Sequence, residues 1–248
     1  MSVVTNDYDA IAEQYQRSKQ QPWRVFIECF SLMELIGDPR GLNVLDVACG
    51  EGFYTRLMRQ RGAARVTGVD LSEGMIELAR QQEVDHRLGI DYRVADARRL
   101  DLDGEVDLVL AAYLLNYART REELQAMCEG IAGSLRPGGR FVTVNSNPAL
   151  AFPTVPSYRK YGFETSVLGD WKEGTPIKWT FFLDEGPFDI ENYYLSPAIH
   201  EDALRAAGFR SIHWHTPKLS PEGLVGYERG YWSNLLEHPP VTFLECVR

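Results

Sequence analysis

The feature that most limits what this chain can fold into is a regular alternation of short apolar runs and helical stretches between Asn43 and Val144. Asn43 to Val47 reads as a strand, Gly52 to Gln60 as a helix, and Arg65 to Val69 as a second strand. Ser72 is placed to cap a helix running to about Gln82, because its hydroxyl can accept an otherwise orphan backbone N–H. Asp91 to Val94 and Val106 to Ala111 are two further strands, and Thr120 and Glu123 have capping-box spacing before a helix that ends near Leu135. Arg140 to Val144 is a fifth strand. Parallel strands need long crossovers, and helices at this spacing supply them, so the pattern implies a parallel, doubly wound sheet.

The flanks have a different texture. Residues 6–36 read as helical, with Ile11, Ala12 and Tyr15 and then Val25, Phe26, Cys29 and Phe30 at apolar positions, and Gln21-Pro22 divides the run into two helices. From Asn147 to Leu195, Pro, Gly and aromatic residues are dense and helical periodicity vanishes; Thr180 to Leu183 and Asn192 to Leu195 read as strands. The alternation then resumes with a helix from Ser196-Pro197 to Ala207, a strand over Ser211 to His215, a helical stretch over 221–237 and a last strand over Val241 to Val247. A final strand reached by such a connection can lie antiparallel at the edge. The expected architecture is α/β: a Rossmann-like, doubly wound seven-stranded sheet, mostly parallel with an antiparallel edge strand. N-terminal lid helices and a β-hairpin insertion after strand 5 complete it. One domain is expected over 1–248, with lid helices in 1–39, a cofactor-binding core in 40–146, a substrate-side insertion in 147–195 and the end of the sheet in 196–248.

Charge and cysteine usage count against several classes. The formal net charge is -9, a poor match for phosphate backbones, which are bound by clustered Lys and Arg. The four cysteines, Cys29, Cys49, Cys128 and Cys246, are far apart and without CxxC spacing; they are expected to be reduced and mostly packed. His213 and His215 have no thiol or carboxylate at ligand spacing, so no metal site is expected. Residues 1–19 lack the basic start and apolar centre of a secretory signal, and no apolar run reaches membrane length. A cytoplasmic protein with no nucleic-acid or membrane partner is expected, as a monomer or homodimer.

The chemistry sits where the first two strands end. Val47-Ala48-Cys49-Gly50-Glu51-Gly52 places two glycines between a strand and a helix. Glycine admits positive φ and close approach of backbone to a ligand, and the following helix offers free N–H groups there. The second strand ends in Val69-Asp70, where an acid can accept the hydroxyls of a ribose. Together they indicate a nucleoside-containing cofactor. Thr55 stands where a dinucleotide turn has its third glycine, and Asp46 adds a carboxylate just before the turn. A pyrophosphate is repelled by that carboxylate, whereas a cationic amine or sulfonium is attracted.

These residues resemble class I S-adenosylmethionine-dependent methyltransferases. Val44 to Gly52 is similar to the family's first motif, and Gly68-Val69-Asp70-Leu71-Ser72 with Met75 and Ala79-Arg80 to the second. Ala95-Asp96-Ala97 resembles the place where an acid and the next backbone N–H meet the adenine. Asp107 to Tyr117 is similar to the fourth strand and the loop beside the methyl group, and Leu135 to Phe141 to the turn into the fifth strand. Tyr8-Asp9, Ile11-Ala12 and Tyr15 resemble a lid helix whose tyrosine reaches the cofactor. A narrower resemblance, through Tyr15-Gln16, Lys19, Pro22-Trp23-Arg24 and Gly50 to Arg56, is to a subgroup that includes azapteridine (toxoflavin-pathway) N-methyltransferases. The resemblance implies S-adenosylmethionine as cofactor and S-adenosylhomocysteine as product. It places Tyr15, Asp46, Ala48, Gly50, Gly52, Asp70, Leu71, Met75, Asp96, Ala97 and Ala112 around the cofactor. The expected acceptor is a small planar aromatic or heterocyclic molecule from secondary metabolism, with nitrogen favoured over oxygen.

Methyl transfer from a sulfonium is an in-line displacement, so the chain has chiefly to align the acceptor and exclude water. Tyr113, Asn116 and Tyr8 are the expected aligning residues, with Tyr117 and Tyr15 beside them. A base is not required for an acidic heteroaromatic N–H, and His200, His213 and His215 are not expected to supply one. The aromatics of the insertion, among them Tyr158, Tyr161, Trp171, Trp179, Phe181, Phe182, Tyr193 and Tyr194, suit either a flat wall for a planar substrate or the hairpin's own packing. Two other classes stay open on the first motif alone: a cofactor-binding regulator without transfer, and a nicotinamide-dependent oxidoreductase, against which Thr55 and Asp46 count. A nucleic-acid methyltransferase is disfavoured by charge and by the absence of an Asn/Asp-Pro-Pro-aromatic motif.

Overall fold

The computed structural model describes residues 8–100 and 106–248, with side chains from residue 13 onward. The strands that the alternation predicts form one seven-stranded sheet in the order β3-β2-β1-β4-β5-β10-β9. Its members are β1 (Asn43–Val47), β2 (Arg65–Asp70), β3 (Asp91–Val94), β4 (Val106–Ala112), β5 (Leu135–Ser146), β9 (Ser211–His215) and β10 (Val241–Val247). The first five are parallel to one another, and β10 runs antiparallel to both of its neighbours. The antiparallel strand expected at the edge is therefore at that end of the sheet, one place in from the rim, which β9 forms. β1 and β4, at the centre, are apolar on both faces: Leu45, Val47, Val109 and Ala111 pack on one side, Val44, Leu108 and Leu110 on the other. Burial on both faces is what a parallel sheet between helical layers requires.

Local signals place the helices. Ser72 accepts the Met75 N–H at 3.0 Å and starts α4 (Glu73–His86). Thr120 accepts the Glu123 N–H at 3.3 Å and starts α5 (Arg121–Ser134). The N-terminal run is broken as expected: α1 (Tyr8–Ser18) ends before Lys19, and a second helix begins at Pro22. That second helix is not uniform. Arg24–Cys29 is π-helical and runs directly into α2 (Phe30–Ile36). A π-turn inserts an extra residue in the ladder and is common at functional sites. α3 (Phe53–Gln60) follows the glycine turn, and α6 (Pro197–Ala206) follows the insertion. The stretch over 221–237 is not one helix but two short ones, α7 (Pro221–Val225) and α8 (Ser233–Glu237). Gly226 ends the first, and Gly230, at φ +85°, lies in the left-handed region between them.

The insertion is a separate antiparallel sheet of three strands, β6 (Phe163–Val167), β7 (Pro176–Leu183) and β8 (Gly186–Tyr193). β7 and β8 form a hairpin, as expected, but its second strand is Gly186–Tyr193 and not Asn192 to Leu195, because it starts directly after the turn that follows Leu183; β6 pairs with the other edge of β7. Alternate residues of β7 and β8 are buried: Ile177, Trp179 and Phe181 on one, Phe188, Ile190 and Asn192 on the other. The N-terminal segment holds this sheet in place. Gln21 Nε2 donates to the Gly162 carbonyl at 3.0 Å, and the Trp23 ring packs 4.8 Å from that of Phe163. Ser146, at the end of β5, donates to Asn192 Oδ1 at 3.0 Å and ties the two sheets together. Among the described residues, no helix is long and apolar enough to cross a membrane.

Candidate active site

The carboxyl ends of β1, β2 and β4 converge, as they do in doubly wound sheets, on a crevice roofed by the N-terminal segment and the small sheet. The β1 end is conformationally unusual. Ala48, Gly50 and Gly52 all have positive φ, at 59°, 56° and 85°. An Ala in the left-handed region costs free energy that the surroundings must offset, and such positions cluster at functional sites. Asp70 holds the turn: one carboxylate oxygen accepts the Gly50 N–H at 2.8 Å, and the other accepts the Ser72 N–H at 2.9 Å. A side chain at Gly52 would strike the Tyr92 hydroxyl at 2.3 Å. One at Gly50 would meet only Met75 Sδ, at 3.9 Å. Glycine is thus required at 52 by packing and at 50 by φ, and the surface over Gly50 is open.

A narrow cavity lies over this turn. Asp46, Ala48, Gly50 and Ala112 line it from the sheet, Tyr15 and Lys19 from the N-terminal segment, and Phe53 and Tyr54 from α3. Asp46 is 1% exposed; its Oδ2 accepts the Thr55 hydroxyl at 2.6 Å, and its Oδ1 has no protein partner. Burial pushes the Asp46 carboxyl up to about 7, against the pull of the Thr55 hydroxyl and the Lys19 charge. A buried carboxylate with one oxygen unpartnered is kept ionised only at a cost unless something cationic meets it.

Beside this cavity stands a buried polar cluster. Glu28, fully buried in the π-helical stretch, accepts the Tyr54 hydroxyl at 2.7 Å and also that of Tyr113. Arg24 Nη1 lies 3.1 Å from its carboxylate, and Lys19 Nζ lies 4.0 Å away. Burial raises the Glu28 pKa, but Arg24, Lys19 and the two phenols together hold it below the ordinary range. Burial and Glu28 push Tyr54 and Tyr113 well above theirs, so both stay protonated donors. Lys19 Nζ sits 5.0 Å from the ring centres of Tyr15 and Tyr54 and 5.8 Å from that of Tyr113. Tyr113 itself has φ 65° at the end of β4.

A second cavity opens on the other side of Tyr15, which lines both. Its walls are Tyr113 and Tyr117 from the β4 end, Trp23 and Arg24 from the second helix, and Trp179, Phe181, Ile190 and Asn192 from the small sheet. The Trp179 and Phe181 rings are nearly parallel, 15° apart with centres 6.3 Å from each other. A wider groove between α4 and β3, near Arg80 and Gly89, lies at the amino end of β3, away from this crevice.

A family model described as a methyltransferase domain matches residues 44–139. A ubiquinone/menaquinone biosynthesis C-methyltransferase from Desulfotalea psychrophila is 29% identical over 89% of this chain and 88% of its own length. An N-demethylindolmycin N-methyltransferase from Streptomyces griseus is 28% identical over 72% of this chain and 75% of its own. An S-adenosylmethionine-dependent methyltransferase structure from Mesorhizobium loti superposes with a TM-score of 0.65 at 22% identity, over 93% of this chain and all of that one. The chain carries a methyltransferase domain over residues 44–139 and shares its fold with S-adenosylmethionine-dependent methyltransferases.

Of the cofactor residues expected in the methyltransferase, the fold brings Tyr15, Asp46, Ala48, Gly50 and Ala112 into one cavity wall. Gly52 caps α3, Asp70 holds the turn from below, and Met75 packs under Gly50. Leu71 is 67% exposed at the rim. Asp96 and Ala97 stand at the end of β3, where the Asp96 carboxylate pairs with the Arg98 guanidinium at 2.6 Å and accepts the Arg98 N–H. Tyr113 and Tyr117 line the second cavity; Asn116, between them in the same turn, is buried with neither side-chain polar atom partnered. Tyr8 lies outside the described side chains. His200 is buried with Nδ1 at 3.0 Å from the Ser196 carbonyl, and neither it nor His213 or His215 lines either cavity. Lys19, Arg24, Glu28, Trp179 and Asn192 were not singled out for these positions by spacing. Trp179 stood among the aromatics of the insertion, and Lys19 and Arg24 within the narrower resemblance, while Glu28 and Asn192 carried no signal for the site.

Proposed function

We propose that the acceptor is a small planar aromatic or heterocyclic molecule, methylated on nitrogen in preference to oxygen, within secondary metabolism. The observation that carries this reading is the shared wall: Tyr15 lines a cavity over the glycine turn and also a flat, aromatic one beside it. Asp46 and Lys19, both in the first cavity, suit the amine and the carboxylate of an amino-acid tail, and the unpartnered Asp46 Oδ1 fits a cationic group. In this reading Asp70 takes the ribose hydroxyls beside the turn it holds, and Asp96 and Ala97 take the base. The bound cofactor supplies an electrophilic methyl group; the rest is positioning by this chain.

Tyr113 and Trp179 present ring faces to the acceptor, and Tyr15 holds the boundary between donor and acceptor. Tyr113 does not remove a proton, because its phenol is already committed to Glu28. Glu28 does not either, being enclosed by Arg24, Lys19 and two hydroxyls. An acidic heteroaromatic N–H loses its proton to solvent instead. The name of the Streptomyces griseus relative supports nitrogen. The enzyme acts as a monomer or homodimer in the cytoplasm, without nucleic-acid or membrane partners. Incubation with methyl-labelled S-adenosylmethionine and a panel of azapteridines, indoles and phenols tests this. Label on a ring nitrogen is expected; transfer only to aliphatic amines or to carbon overturns the acceptor class.

A further inference from the structure

The acceptor cavity has an uneven polar lining. Three of its residues carry a buried N–H with no protein partner: Arg24 Nε, Trp179 Nε1 and Asn192 Nδ2. They are 3%, 3% and 4% exposed. Among the described residues lining that cavity, no buried side-chain acceptor lacks a partner. Buried donors are rarely left unsatisfied, because each forfeits its hydration without return. Three unpartnered donors on residues of one cavity wall therefore mark a place that an acceptor atom of the occupant fills.

Arg24 is a buried cation that pairs with Glu28 through Nη1, and its Nε takes no part in that pair. The Arg24 guanidinium lies between rings, 4.9 Å from the Trp23 centre and 5.0 Å from that of Phe181. Such stacking fixes its plane and leaves its edge for hydrogen bonding. Asn192 is oriented as a donor by Ser146, whose hydroxyl occupies its Oδ1. Trp179 and Asn192 lie on the two paired strands β7 and β8, so both N–H groups come from the small sheet.

We propose that the acceptor carries an anionic oxygen, a carboxylate or an ionised enol, that is anchored by Arg24, Trp179 and Asn192. The inference rests on the methyltransferase reading and names the charge of its substrate. Anchoring by that oxygen holds the planar ring against Trp179 and Phe181 and leaves another atom of the acceptor to receive the methyl group.

The test compares planar acids with their neutral amides in the full-length protein saturated with S-adenosylhomocysteine. The probes are benzoate with benzamide and 2-naphthoate with 2-naphthamide, followed by calorimetry. The acid is expected to bind about tenfold tighter than its amide, the usual worth of a charged hydrogen-bond pair. Asn192→Asp turns a donor into an acceptor and should abolish or reverse the preference without changing affinity for S-adenosylhomocysteine. Trp179→Phe keeps the ring, removes the N–H and should narrow the preference about threefold; it carries the test if the first variant fails to fold. Equal binding of acid and amide, binding of neither acid at millimolar concentration, or an unchanged preference in both folded variants overturns the proposal. Failure of S-adenosylhomocysteine to bind would instead strike the cofactor reading beneath it.

Discussion

The cofactor cavity and the acceptor cavity are neighbours built by opposite means. The first rests on backbone: Ala48, Gly50 and Gly52 hold left-handed conformations within one short turn, pinned by Asp70 from the adjacent strand. Its walls come largely from one stretch of sequence. The second rests on side chains brought from far apart, Arg24 in a π-helical stretch, Tyr113 at a strand end, Trp179 and Asn192 on a separate sheet. A backbone-built site reads from a motif, and a side-chain-built site does not. The difference also separates their failure modes: strain and φ in one, buried charge and unmet hydrogen bonds in the other.

The sharpest way to break that contrast is at Arg24. Arg24→Met leaves Glu28 charged and buried against two phenols and Lys19 alone. It should cost about 3–5 kcal/mol of stability, measured by denaturant unfolding. Arg24→Met combined with Glu28→Met should recover most of that loss, because the uncompensated charge has gone. No recovery would mean that Arg24 acts by packing on its aromatic neighbours and not by charge. Lowering the pH is a milder version. Glu28 has its pKa held down by folding, so its contribution is present above the unfolded carboxylate range and is lost as pH falls through its folded value.

Next in size is the turn. Gly52→Ala puts a methyl group on the Tyr92 hydroxyl at a φ of +85°, and should cost about 1–3 kcal/mol. Affinity for S-adenosylhomocysteine should fall with it, while acceptor probes keep their acid–amide ratio. A change in that ratio would show that the two cavities are not built independently.

The smallest effect concerns Asp46. Its carboxyl is raised to about 7 by burial, so the folded protein favours the neutral form and loses stability as pH rises from the unfolded carboxylate range through 7. A cation in the cavity favours the charged form. Affinity for S-adenosylhomocysteine should therefore rise as Asp46 ionises, with proton release detectable by calorimetry in buffers of different ionisation enthalpy. Asp46→Asn should remove both signatures and cost about 1.5 kcal/mol in binding. A pH slope that survives in that variant would assign it to another group.

Much of the sheet was legible because strands and helices alternate and because Ser72 and Thr120 supply start signals that read locally. Strand β6 was not, since Phe163–Val167 is short, is separated from the hairpin by the connection over 168–175, and gains its place by pairing with β7. The break at Gly226 and Gly230 was missed because the stretch was read as one helix across both glycines. Within the site, Asp46, the glycines and Asp70 announce themselves by spacing. Arg24 and Glu28 fall at helical spacing on a surface-like sequence, and only burial turns them into a charged centre. Trp179 was one aromatic among many until its neighbours on β8 set which face of the strand turns inward.

The most direct test of the account is calorimetric titration of the folded protein with S-adenosylhomocysteine, with NAD as the control. Binding of the first is expected, strengthened as pH rises through about 7, and none of the second. Folded protein that fails to bind S-adenosylhomocysteine, or that binds NAD instead, would contradict it.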